Sequence, residues 1–392
     1  MVVILNSYFF ISEMKIFYFI PAITSAGGME RTLILKANYL TDILNYDVTI
    51  ITTEKESTTI PFFIISDKVK IVRLNIGFSE HFSKSFLLKI LLHYKKLCLY
   101  RRQTELLLTK EKPDICVSLL GKEVAFLPHL KDGSKKIGES HFAKDYSKQL
   151  ILARHSAIWW RLYASFSVWH LECMVAKFDH FVVLTKHDIG LWSRVTNISC
   201  IPNANPLGVQ STNYNILSKE VISVGHYFYE KGYERLISAW KNVKVKHPDW
   251  KLRIFGDGEL REKYESIIKK LDLQDVVILN YPVRNILSEY KKSSFYVMSS
   301  RSEGLPMVLI EAMSCGLPCI AFDIRSSMKD IISHQIDGIL VKEGDIELFA
   351  NAIIELIEND EKRKIMSLNA FEKSKLYDIE NIMSMWIQLF DS

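Results

Sequence analysis

Residues 295–322 read FYVMSSRSEGLPMVLIEAMSCGLPCIAF. An aromatic and β-branched run (295–300) leads into a Gly-Leu-Pro break, an apolar stretch of helical character and a second short apolar run (318–322). Strand, loop, helix and strand at this spacing make the unit from which parallel sheets are built. Two glutamates lie eight positions apart within it, Glu303 before the break and Glu311 after it. Glu311 is flanked by Val308, Leu309, Ile310, Ala312 and Met313. A carboxylate enters such company only where donors meet it.

The same alternation extends in both directions. Upstream, 221–225, 250–256 and 276–280 read as strands separated by helical patterns, and 338–342 reads as a last strand downstream. A second series begins at Met14, with strands expected at 14–20, 46–53, 69–74, 114–120, 135–140, 180–186 and 198–202. The Pro-, Asn- and Gly-rich segment PNANPLGVQSTNYN (202–215) interrupts the rhythm and reads as a hinge. The expected fold class is α/β, with two Rossmann-like doubly wound domains facing a cleft. Its parts are an N-terminal extension (1–13), a first domain (14–203), a hinge (204–217), a second domain (218–375) and a C-terminal helix (376–392) packing back on the first domain. Met14 is the expected true start. Ligands of such sheets sit outside the carboxyl ends of the strands, so the loops there carry the chemistry.

Composition narrows the class. A chain of 392 residues, 48% apolar and 24% charged, describes a globular protein too long for one ordinary core. No apolar run reaches the roughly 18 residues of a transmembrane helix. The opening MVVILNSYFFISE lacks the basic region and cleavage site of a signal peptide. Six cysteines (98, 116, 173, 200, 315, 319) form no complete metal-binding pattern, and buried free thiols in a reducing cytosol are expected. Residues 1–210 hold 26 Lys+Arg against 18 Asp+Glu, so the first half suits an anionic partner.

Three loops follow strands with glycines in place. TSAGGMERTL (24–33) offers Gly27 and Gly28 ahead of a helix starting near Met29, whose free N–H groups favour an anion. VGHYFYEKGYERL (224–236) places Gly225 and His226 after one strand, and Lys231-Gly232 just before a helix. FGDGEL (255–260) adds Gly256 and Gly258, in a pattern that is not the G-x-G-x-x-G of nicotinamide sites. A diphosphate suits three such loops. In the first-quoted stretch, Pro306 fits the first helical position. The loop Glu303-Gly304-Leu305 presents backbone N–H groups beside a carboxylate, and Glu311 suits a ribose diol.

VGHYFYEKG, FGDGEL and above all SRSEGLPMVLIEAMSCGLPCIAFD resemble glycosyltransferase family 4, retaining nucleotide-sugar-dependent enzymes of the two-Rossmann GT-B architecture. The resemblance covers roughly 14–390, strongly in the second half. GGMER also resembles the glycine loop of members that build bacterial surface polysaccharides. The resemblance implies that Lys231 binds the donor diphosphate and Glu303 the sugar hydroxyls. It implies that Gly304, Leu305 and Pro306 line the sugar–phosphate, that Glu311 holds the ribose, and that Gly27 and Gly28 close on the diphosphate. His141, in GESHF, matches the family histidine near sugar and acceptor. One departure stands out: the family's usual arginine, five residues before the lysine, is here His226, a weaker phosphate ligand.

The implied activity is transfer of a hexose from a nucleotide sugar, a UDP-sugar by expectation, to a growing and lipid-linked surface glycan, with anomeric configuration kept. No covalent enzyme nucleophile is implied. No Asp-x-Asp occurs in the chain, so no metal and no cofactor are expected. A nucleotide-sugar 2-epimerase shares the architecture and is the alternative. A glycoside hydrolase fits poorly, because its carboxylates stand about 5–5.5 Å apart when it retains configuration. Nucleic acid is not an expected partner, since no recognised motif accompanies the positive segments. Residues 81–102, HFSKSFLLKILLHYKKLCLYRR, hold six Lys+Arg and no acid, and 156–172 hold three tryptophans. Both suit an anionic membrane surface, so a cytoplasmic protein peripheral at the inner face of the membrane is expected.

Overall fold

A computed structural model describes residues 14–25, 27–55, 60–79, 86–142, 144, 148, 151–152, 157–210, 214–324 and 327–392. The extension 1–13, the start of the basic segment (81–85) and part of the hinge (211–213) lie outside the described residues. The chain divides into two compact units. One comprises Met1–Ser140, Leu162–Val182 and Arg194–Ser199; the other comprises His141–Arg161, Val183–Ser193 and Cys200–Ser392.

The first unit carries a seven-stranded sheet with spatial order β3-β2-β1-β4-β5-β6-β7. Its strands are β1 (Lys15–Ile20), β2 (Asp47–Thr52), β3 (Lys70–Arg73), β4 (Ile115–Ser118), β5 (Lys135–Glu139), β6 (His180–Val183) and β7 (Ile198–Cys200). Its helices are α1 (Gly28–Asp42), α2 (Phe86–Glu111) and most of α3 (Ile158–Val175), while α4 (Lys186–Leu191), between β6 and β7 in the chain, falls within the second unit. Ile16 to Ile20 of β1 are all buried, and their neighbours β2 and β4 both pair with β1 in parallel. A strand covered on both faces reads as a continuous apolar run, and that is why MKIFYFI shows no alternation. Lys36 on α1 is buried. Its Nζ lies 2.6 Å from Glu139 Oε2, with the two side chains only 5% and 2% exposed. Burial pulls the Lys36 ammonium below its usual range, and Glu139 opposes that shift.

The second unit repeats the plan with order β10-β9-β8-β11-β12-β13. The strands are β8 (Glu220–Val224), β9 (Lys251–Phe255), β10 (Val277–Asn280), β11 (Phe295–Met298), β12 (Cys319–Asp323) and β13 (Gly338–Lys342). Between and after them run α5 (Tyr233–Lys246), α6 (Arg261–Lys270), α7 (Ile286–Lys292), α8 (Met307–Ser314), α9 (Ser327–Ile331), α10 (Ile346–Glu358), α11 (Asp360–Ser374) and α12 (Ile379–Asp391). Helix α5 buries Leu236, Ile237, Trp240 and Val243, spaced as one helical face, and packs against α10. Each such fully buried aliphatic chain is worth about 1.5–3 kcal/mol. Helices α10 and α11 start on capping side chains, Asp345 accepting from Leu348 N at 3.0 Å and Asn359 from Lys362 N at 2.9 Å.

Both sheets therefore reverse direction at one place, between β1 and β4 in the first and between β8 and β11 in the second. Such switch points open the crevice where ligands bind. Several details differ from the sequence reading. Helix α1 starts at Gly28, with Gly27 as its cap. The basic helix α2 runs on to Glu111, nine residues past the expected stretch. Pro306 caps α8 with φ −74° and ψ 91° rather than serving as its first residue. Cys116, Cys315 and Cys319 are buried as expected, whereas Cys98 is exposed and Cys173 and Cys200 are half-buried.

Candidate active site

The loops after β8 and β11 meet at the switch point of the second sheet. Ser223 Oγ donates to Val297 O at 2.7 Å and Tyr296 OH to Val224 O at 3.1 Å, which fixes the two strand ends side by side. Beyond them the chain brings Lys231 and Glu303 together. Lys231 Nζ donates to Glu303 Oε1 at 2.7 Å, with the side chains 24% and 12% exposed. Ser300 Oγ donates to the same oxygen at 2.7 Å. A lysine at the entrance of α5 and a carboxylate at the entrance of α8 thus share one spot. Charges paired at this depth remain within reach of a solute.

Gly232 is the N-cap of α5 and adopts φ +63°, a left-handed conformation that glycine takes without steric cost. A Cβ there would also stand 2.5 Å from Ser299 O. The turn before it is held from the β11 side. Ser299 Oγ donates to Lys231 O at 3.0 Å, and Arg301 N donates to Glu230 O at 2.7 Å. Arg301 Nη1 donates to Tyr229 O at 2.6 Å, Nη2 pairs with Glu234, and the guanidinium lies 4.1 Å from the Tyr229 ring centre. The sequence reading passed over Ser299, Ser300 and Arg301 although all three stand in the quoted stretch. A serine or arginine beside a glycine loop carries no pattern of its own until its partner on another loop is known.

The other expected site residues distribute as follows. Gly225 and His226 follow β8; His226 is exposed and its ring stacks on Phe228 with centroids 5.6 Å apart. Gly256 and Gly258 follow β9, and a Cβ on Gly256 would fall 2.0 Å from Gly225 O, so the two loops touch backbone to backbone. Gly304 is as tightly placed, since a Cβ there would reach within 2.6 Å of the carbonyl oxygen of the half-buried His141. Leu305 is buried beside it. Glu311 is 3% exposed on α8, and Tyr290 OH donates to its Oε2 at 3.2 Å. That partner lies 21 residues upstream on α7, where nothing in the sequence marks it. In the first unit, Gly27 caps α1 and accepts from Arg31 N at 3.1 Å. Gly28 opens the helix, and Ser25 Oγ donates to Glu30 Oε1 at 2.5 Å. Both glycines follow β1, on the switch point of their own sheet.

The chain is similar to known proteins. Residues 211–373 fit the family model of glycosyl transferases group 1. An uncharacterized glycosyltransferase of Haemophilus influenzae is 30% identical over 384 residues, 95% of this chain and 98% of its own. The chain belongs to the group 1 glycosyltransferases. A GalNAc-alpha-(1->4)-GalNAc-alpha-(1->3)-diNAcBac-PP-undecaprenol alpha-1,4-N-acetyl-D-galactosaminyltransferase of Campylobacter jejuni is 27% identical, spanning 95% of this chain and 97% of that one. The crystal structure of a mutant S. aureus TarM, in complex with Fondaparinux, alpha-GlcNAc-glycerol and UDP, superposes with a TM-score of 0.76 at 16% identity, over 97% of this chain and 100% of that one. That likeness gives the fold as GT-B.

Proposed function

We propose that this glycosyltransferase moves a hexose from a UDP-sugar to a growing, lipid-linked surface glycan, with retention, as a family 4 enzyme. The observation that carries the reading is the Lys231–Glu303 pair at the switch point of the second sheet. Lys231, aided by the N-terminal end of α5, neutralises the leaving diphosphate. Glu303 exchanges its lysine and serine donors for sugar hydroxyls, and Gly304, Leu305 and Pro306 line the sugar–phosphate. Glu311 takes the ribose from its buried seat. His141 stands near the sugar and acceptor, and Gly27 and Gly28 remain diphosphate-binding residues in this reading. No metal and no cofactor enter this reading. The UDP in the TarM complex and the undecaprenol-linked glycan in the Campylobacter enzyme's name support the donor and acceptor classes.

An anionic membrane surface at the inner face of the cytoplasmic membrane completes the proposal. Lys95, Arg101 and Arg102 are exposed on α2 beside Leu91, Tyr94 and Leu99. Helix α3 exposes Trp159, Leu162, Phe166 and Trp169. Basic and aromatic side chains of this kind suit lipid headgroups. No helix of the described residues is long and apolar enough to cross a membrane.

The test is a screen of nucleotide sugars by thermal shift, followed by transfer to a lipid extract of membranes. A UDP-sugar should raise the unfolding temperature and label the extract with its anomeric configuration intact. Conversion of the nucleotide sugar to its C2 epimer without any acceptor would instead identify the 2-epimerase, and an inverted product would refute retention.

A further inference from the structure

We propose that Arg301 and Glu234 are positioning residues that hold Lys231 in place for the donor diphosphate; the inference rests on the donor site described under the proposed function. Lysine is a flexible four-carbon arm with a point charge, so its value as an anion contact depends on where its backbone is held. Lys231 sits in a single turn, 229–231, closed by the left-handed Gly232. A turn so short has little stability of its own.

Arg301 supplies what the turn lacks. Its main-chain N–H takes the Glu230 carbonyl, its Nη1 takes the Tyr229 carbonyl and its plane covers the Tyr229 ring, so two successive residues before Lys231 are anchored to the loop after β11. Ser299 anchors the Lys231 carbonyl itself. The guanidinium is then oriented by Glu234, one helical residue beyond Tyr233. Arg301 and Glu234 are 17% and 22% exposed, shielded enough for the charge-assisted contact through Nη2 to keep one geometry. Arg301's charge is matched by Glu234 through Nη2, while its Nη1 and its main-chain N–H donate to carbonyls of the turn. The arginine therefore acts through Lys231. The family's diphosphate arginine, replaced here by His226, is not restored by Arg301. One consequence follows for binding: loss of the strut should weaken contacts to a second phosphate and spare those to the nucleoside.

Calorimetric titration of UDP and UMP into wild type, Arg301→Met, Glu234→Gln and the double variant tests this. Each single change should weaken UDP about tenfold, leave UMP within about twofold, and leave the unfolding temperature near that of wild type. The double variant should be no worse than either single, because both remove one device. Should Arg301→Met fail to fold, Arg301→Lys in a chain that keeps Glu234 serves instead, beside Glu234→Gln as a separate variant. The lysine can pair with Glu234 but cannot also hold the Tyr229 carbonyl, so partial recovery is expected. A severe UDP defect in Arg301→Met beside a silent Glu234→Gln would overturn the proposal and make Arg301 a direct ligand. Unchanged UDP affinity in both singles would overturn it as well. A wild type that binds neither UDP nor any other nucleoside diphosphate removes the donor reading itself, a result separate from any effect of the variants.

Discussion

Each unit brings one lysine and one glutamate together near the carboxyl ends of its strands, and the two pairs meet opposite fates. Lys36 and Glu139 lie 2.6 Å apart and are almost sealed from solvent; Lys231 and Glu303 lie 2.7 Å apart with 24% and 12% of their side chains exposed. The first pair ties α1 to β5 inside the protein. The second stands at the mouths of two helices, where each partner can be given up for a ligand. Distance alone does not separate structure from chemistry here. Burial does, because desolvation decides whether a charge can afford to lose its partner.

The largest expected effect comes from the sealed pair. Lys36→Met leaves Glu139 buried without its cation and should cost about 3–5 kcal/mol of stability, while Lys36→Met with Glu139→Met should recover most of it. Thermal unfolding reads both. A single change as harmless as the double would erase the contrast between the units. Next is the open pair. Glu303→Gln should lower transfer about a hundredfold with the unfolding temperature near wild type, since the contacts proposed for it strengthen as a sugar changes charge and shape. Loss of stability equal to that of Lys36→Met would place Glu303 among the structural charges. The smallest effect belongs to His226→Arg. A permanent charge at this exposed position should tighten UDP about fivefold, the worth of one charge pair in nearly aqueous surroundings. Weaker UDP binding in that variant would show that the 226 side chain points away from the phosphates.

Most of the architecture was legible in the chain because buried parallel strands are short, apolar and β-branched, and β1, β2, β4, β11 and β12 among the described residues fall on such runs. The glycine loops were legible for a similar reason: close approach leaves glycine as a visible signature. What could not be read were the partners. Lys36 has the spacing of any helix lysine, and Glu139 is 103 residues away. Tyr290 meets Glu311 from a different helix. Arg301 stood in plain view, yet its role appears only once the turn at 229–231 is seen beside it. Capping also escaped detail, since Pro306 satisfies either the cap or the first helical position by its fixed φ.

The contact between Gly256 and the Gly225 carbonyl bears on anyone who would change what this enzyme accepts. A randomised library across the loops after β8 and β9 would return no variants at 256, whatever donor was selected for, because any side chain there collides with main chain rather than with a ligand. Position 226, a single residue beyond Gly225, is exposed, with room for side chains of other sizes. Fixed and free positions thus adjoin along one short segment, and the productive part of the search is far smaller than the loop lengths suggest.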